Sequence, residues 1–109
     1  MAEPTLKEIF GDSASQTVET VTISKADLAV VGLTAASNNT GEAILAAVIA
    51  KAQLVLTLER QELHPEQSIA FSEDSQNLVI RNDQRYRQFT KVINFEKVDD
   101  ETDFDPDWF

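Results

Sequence analysis

The residues that could do chemistry in this chain are few, and their company decides what they can do. His64 is the single histidine, next to Pro65 and flanked at short range by Glu62 and Glu66. General acid–base catalysis needs a base within hydrogen-bond reach of a nucleophile, and usually a third group to orient that base. No such set accompanies His64, which is expected to be an exposed loop histidine. Asp103, Asp105 and Asp107 alternate as the ligands of a calcium loop begin, but the glycine and the later bidentate glutamate of that loop do not follow. The run Asn38-Asn39-Thr40 has the spacing of a glycosylation acceptor and is expected to be a loop leading into a helix. Gly11, Gly32 and Gly41 stand too far apart to cradle a phosphate, and no cysteine is present to act as nucleophile or ligand. The expectation is a non-enzymatic protein with no catalytic residues, no metal site and no cofactor.

The chemistry of recognition is better represented. Residues 99–109 hold six acids (Asp99, Asp100, Glu101, Asp103, Asp105, Asp107) and no base, together with Phe104, Trp108 and Phe109. Exposed Trp and Phe reduce solubility, so a purely solvating segment has no use for them. Buried aromatic anchors, by contrast, dominate interface energetics. Phe104, Trp108, Phe109, Asp103, Asp105 and Asp107 are therefore the expected partner-binding residues. The rings would enter a pocket on a protein partner, and the acids would steer encounter with its basic surface. The other reading is that the segment folds back to complete its own core.

A complementary feature lies just upstream. Five of the nine bases fall between Arg81 and Lys97. On strand parity Arg85 and Arg87 share a face with Lys91, interrupted by Phe89. Positive side chains on an edge strand deter stray pairing. Alternatively Arg85, Arg87 and Lys91 form a docking face for an acidic segment, such as the tail of a neighbouring subunit.

Charge and length bound the remaining possibilities. The chain of 109 residues carries 19 acids and nine bases, a net charge of −10. Without the last eleven residues the balance is 13 acids against nine bases, or −4. A body that binds nucleic acid directly would be basic, because phosphate neutralisation dominates such affinity. No direct nucleic-acid contact is expected, and no membrane contact either: the longest apolar run, 43–50, is far short of the roughly 18 residues of a membrane span. The amino-terminal residues lack the basic and apolar stretches of a signal peptide, so a cytoplasmic or virion-associated location is expected.

The elements that must position these residues follow from punctuation and periodicity. Residues 4–10 before Gly11 read as a short helix. Residues 17–23 read as a strand. Ser24 and Asp27 open a short apolar helix that reaches Val31 and stops at Gly32. Asn39 with Glu42 starts the main helix, whose stripe of Ile44, Leu45, Val48, Ile49, Ala52, Val55 and Leu56 carries it to about Leu58, or as far as Glu62. Residues 54–58 are equally readable as a strand. After Pro65, strands are expected at 68–72, 78–81 and 85–97, with a polar turn over 73–77 and a hairpin turn at Asn82-Asp83-Gln84.

The fold class expected is α+β. One main helix packs on a small antiparallel sheet, with a short N-terminal helix and an extended acidic C-terminal tail. A single domain over 1–98 would carry the interaction tail 99–109.

The strings PTLKEIFG (4–11), TISKADL (22–28), GLTAASNNTGEAIL (32–45) and FDPDWF (104–109) together resemble small virion-type proteins of cyanobacterial phages and prophages. That resemblance implies a structural subunit in a homo-oligomer or larger assembly. The acids running into Phe109 are also similar to the C-terminal tip of bacterial single-stranded DNA-binding proteins, which recruits partners. That second likeness implies an anchoring role for Phe109 and a charge role for Asp103, Asp105 and Asp107, with Trp108 where the tip has a smaller residue. It stops at the tail, since the body lacks the basic, aromatic-lined barrel on which bases stack.

Overall fold

A computed structural model of the chain describes residues 3–99 and 103–109 and gives a mixed α+β protein. Asp100 and Glu101, part of the expected acidic tail, lie outside the described residues. The chain divides into two compact units, 1–56 and 57–109. The acidic aromatic residues 103–109 belong to the second.

In the first unit, helix α1 (Leu6–Phe10) opens on a capping box. The Glu8 amide donates to Thr5 Oγ1 at 3.1 Å, and the Thr5 amide donates to Glu8 Oε1 at 2.9 Å. These two bonds satisfy backbone donors that the first turn leaves open. Pro4 precedes the cap. Gly11 ends the helix at φ +117°, where a Cβ would overlap the Asp27 side chain. Strand β1 (Ser15–Gln16) pairs antiparallel with β2 (Val21–Thr22). The strand expected from Thr17 is thus mostly a turn, because Thr17 and Thr20 bond to each other through backbone and hydroxyl. Threonine hydroxyls compete for backbone groups in this way.

The apolar helix after Ser24 is present as a 3-10 helix, Lys25–Val31, stopped by Gly32 at φ +101°. Leu28 is its buried residue. The main helix α2 (Gly41–Gln53) is capped by Thr40, whose hydroxyl accepts from the Ala43 amide at 3.0 Å. Asn39 has a different task from the expected cap: it bonds Ala36 and Thr34 and so closes the preceding loop. Helix α2 packs against α1 and the 3-10 helix, with Ala47 buried. Ala14, Leu28, Ala47 and Leu56 are the buried apolar residues of this unit.

In the second unit, Thr57 accepts from the Arg60 amide and starts helix α3 (Leu58–Leu63). The periodic stripe that reads as one long helix is therefore cut at residues 54–57, and 54–58 is not a strand beyond one isolated parallel bridge from Thr57 to Phe71. Helix α3 ends at His64, ahead of Pro65, as the steric restriction on residues preceding proline requires. Within this unit, helix α3 packs against β3.

Strand β3 (Ile69–Arg81) and strand β4 (Gln84–Phe95) form one long antiparallel hairpin. The turn expected over 73–77 is instead continuous strand. Its polar residues meet polar partners across the ladder, with Asp74 opposite Lys91, Ser75 opposite Thr90 and Asn77 opposite Gln88. A two-stranded ribbon wetted on both faces tolerates a run that would be excluded from a covered sheet. A register shift between Phe71 and Glu73 leaves Ser72 unpaired. Asn82 and Asp83 turn the hairpin with φ of 53° and 61°, the positive pair that matches strand twist in two-residue loops.

Gln67 is the one buried polar side chain among the described residues and ties this unit together. Its Nε2 donates to the carbonyls of Thr57 (3.1 Å) and Ile69 (2.9 Å), and its Oε1 accepts from Arg60 Nη1 at 2.8 Å. The start of α3 and the start of β3 are thereby clamped beside the buried Ala70 and Phe71.

Candidate interaction site

Strand geometry sorts the hairpin side chains into two faces. Successive residues alternate, and cross-strand partners share a side. Along β4, Arg85, Arg87, Phe89, Lys91, Ile93 and Phe95 therefore line one face. Their partners are Ile80 for Arg85, Leu78 for Arg87, Gln76 for Phe89 and Asp74 for Lys91. The unpaired Ser72 shifts the parity of β3, which places Phe71 on this face along with Asp74, Leu78 and Ile80.

The part of that face away from the core is apolar as well as basic. Ile80 is 74% exposed, Leu78 55% and Phe89 63%. Exposed residues of this size, contiguous on one face and rimmed by charge, mark interaction surfaces. The three expected docking cations are not equivalent. Lys91 Nζ lies 3.4 Å from Asp74 Oδ2, so its charge is answered within the hairpin. Arg87 makes a long 3.4 Å contact to Gln76 Oε1, and Arg85 sits exposed opposite Ile80. On the other face, the Arg81 guanidinium stacks 4.3 Å from the Tyr86 ring centre.

The acidic aromatic segment folds back onto the near end of the same strand. Phe104 meets Phe95 edge-on with centroids 5.3 Å apart, Phe109 meets Phe95 at 5.6 Å, and Phe104 lies 5.5 Å from Phe109. Lys97 Nζ stands 4.1 Å from the centre of the Trp108 ring. A short 3-10 helix, Pro106–Trp108, shapes the segment, and Asp105 caps it by accepting from the Asp107 amide at 3.0 Å. The segment thus packs on its own subunit without completing a core, since none of residues 103–109 is buried. Phe104 nonetheless stays 63% exposed. Asp103 and Asp107 are exposed, while Asp105 is partly covered.

Sequence reasoning singled out the cations and the terminal rings but not Leu78 and Ile80, although it placed both in the strand joined to 85–97 by the hairpin turn. The signal that could have found them is their parity with Arg85 and Arg87 once the hairpin turn at 82–83 is fixed.

His64, expected to be exposed, is half-buried at the end of α3. The His64 backbone caps α3, its amide donating to Arg60 O at 2.9 Å and its carbonyl accepting from Gln67. Among the described residues no three His, Cys, Asp or Glu side chains converge as metal ligands, and no helix is long and apolar enough to cross a membrane. An open polar recess of about 240 Å³ is lined by Lys7, Glu8, Gly11, Asp12, Asp27 and Lys51. Lys7 Nζ spends its hydrogen bonds on the Asp12 and Ala14 carbonyls, and Lys51 Nζ donates to Glu8 O. No family model, no curated protein and no solved structure matches this chain.

Proposed function

We propose that this chain is a non-enzymatic assembly protein, a small virion or tail-associated subunit of a phage-like particle, that acts by binding a neighbouring protein chain. The observation that carries the reading is the exposed strip of Leu78, Ile80 and Phe89 interleaved with Arg85 and Arg87. A two-stranded ribbon is marginal in water, and burial of that strip against a partner is what would stabilise it. The acidic aromatic segment, with Phe104, Trp108 and Phe109 beside Asp103, Asp105 and Asp107, is the second element of the same reading. Placement in a virion rests on the sequence likeness alone. A repeated subunit suits it, because symmetric assembly reuses one interface many times.

A second reading is favoured by the exposure of Phe104 and its flanking carboxylates. In it the chain is a soluble accessory protein whose acidic aromatic segment recruits or inhibits a basic partner, one that handles nucleic acid. Light scattering on size-fractionated full-length chain separates the two. Self-associated species that shrink with added salt are expected for the assembly protein. A strict monomer at every concentration rules out the self-assembling form and leaves the accessory role.

A further inference from the structure

We propose that residues 103–109 of one copy form a preformed acidic knob that docks head to tail on the Arg85–Arg87 strip of the next copy. This deepens the assembly reading and rests on it.

The knob is built in its own subunit. Phe104 and Phe109 are held on Phe95, Trp108 lies under the Lys97 ammonium, and the Asp105 carboxylate is engaged in capping the 3-10 turn. What the segment offers outward is the Asp103 and Asp107 carboxylates and the uncovered part of Phe104. The rings fix the segment, and the acids are displayed by it. Little ordering cost then remains to be met when it binds.

The complement of that surface lies on the far part of the hairpin. Arg85 and Arg87 match two carboxylates in number and sign, and guanidinium is the cation suited to paired bonds with carboxylate. Leu78, Ile80 and Phe89 supply apolar surface for the exposed part of Phe104. Knob and strip cannot meet within one chain by a small adjustment. Phe95 and Arg87 are eight residues apart on one strand, about 26 Å at strand rise. Two strips face to face would set arginine against arginine, which is unfavourable. Joining two different surfaces is a heterologous contact, and such contacts propagate into rings or filaments.

The test uses full-length variants carrying exposed substitutions only. One variant loses the knob charge (Asp103→Asn with Asp107→Asn), and the other loses the strip (Arg85→Gln, Arg87→Gln and Phe89→Ser). Both are first checked by circular dichroism melting for an intact fold. In sedimentation velocity the wild type is expected to form species larger than a dimer. Each variant alone should associate roughly tenfold or more weakly. An equimolar mixture, holding one live knob and one live strip, should form a 1:1 dimer and stop there. A mixture no tighter than its components overturns the head-to-tail contact. So does wild-type-like association of either variant, and in both of these cases the assembly reading survives. A wild type that never leaves the monomer overturns this proposal and the self-assembling reading together.

Discussion

Phe104 packs edge-on against Phe95, the two ring planes at 87° and their centres 5.3 Å apart. A residue of the acidic segment and the last residue of β4 thus share an aromatic cluster, which Phe109 completes. The contact turns a stretch that composition marks as a loose tail into part of the second unit.

That contact should be measurable as an energy. A double-mutant cycle with Phe95→Ala and Phe104→Ala, read by chemical denaturation, is expected to give a coupling of about 0.5–1.5 kcal/mol in favour of the native pair. Coupling indistinguishable from zero would mean the rings do not meet in solution.

Gln67 predicts a larger effect from a single side chain. Gln67→Met keeps its length but deletes the bonds to Thr57, Ile69 and Arg60. Since the residue is 1% exposed, the groups left behind cannot all turn to water. A loss of about 1–3 kcal/mol is expected, because three part-buried groups each lose one hydrogen bond together. A change below about 0.5 kcal/mol in the denaturation midpoint analysis would show that the clamp is not formed.

Two glycines at positive φ differ both in backbone strain and in what an added methyl group would meet. Gly32→Ala meets nothing within 4 Å of its new methyl group, so only the left-handed conformation is penalised, at about 1 kcal/mol. Gly11→Ala adds collision with Asp27, the residue whose Oδ2 accepts from the Ser13 amide at 2.9 Å, on a backbone (φ 117°, ψ 158°) that is close to glycine-only. Its cost should exceed that of Gly32→Ala by about 1–2 kcal/mol in thermal melts. Equal losses at the two sites would refute the close approach of the Gly11 turn to Asp27.

Local signals told most where they were self-contained. The stop at Gly11, the Ser24 cap with Gly32 behind it, the helix end before Pro65 and the Asn82-Asp83 turn all involve residues within a few positions of one another. Their energetics are set before any distant part of the chain arrives, which is why an α+β character and these boundaries could be read early. The break in the helical stripe was harder to see. Periodicity runs on through Val55 and Leu56, and Thr57 restarts the chain with its own cap.

What only tertiary structure decided is where polarity is allowed and where the rings go. Residues 73–77 carry every mark of a turn, yet partners such as Lys91 and Thr90, brought opposite by a distant turn, make them strand. The type of each residue in 103–109 announces a need to bind carboxylates and shelter aromatics, and composition sets that need unaided. Whether Phe95 of the same chain or a pocket elsewhere meets it depends on distances between residues far apart in sequence, which a linear pattern does not contain. Arg85 and Arg87 became distinct from Lys91 for the same reason: charge is a property of the residue, but neutralisation by Asp74 is a property of the register.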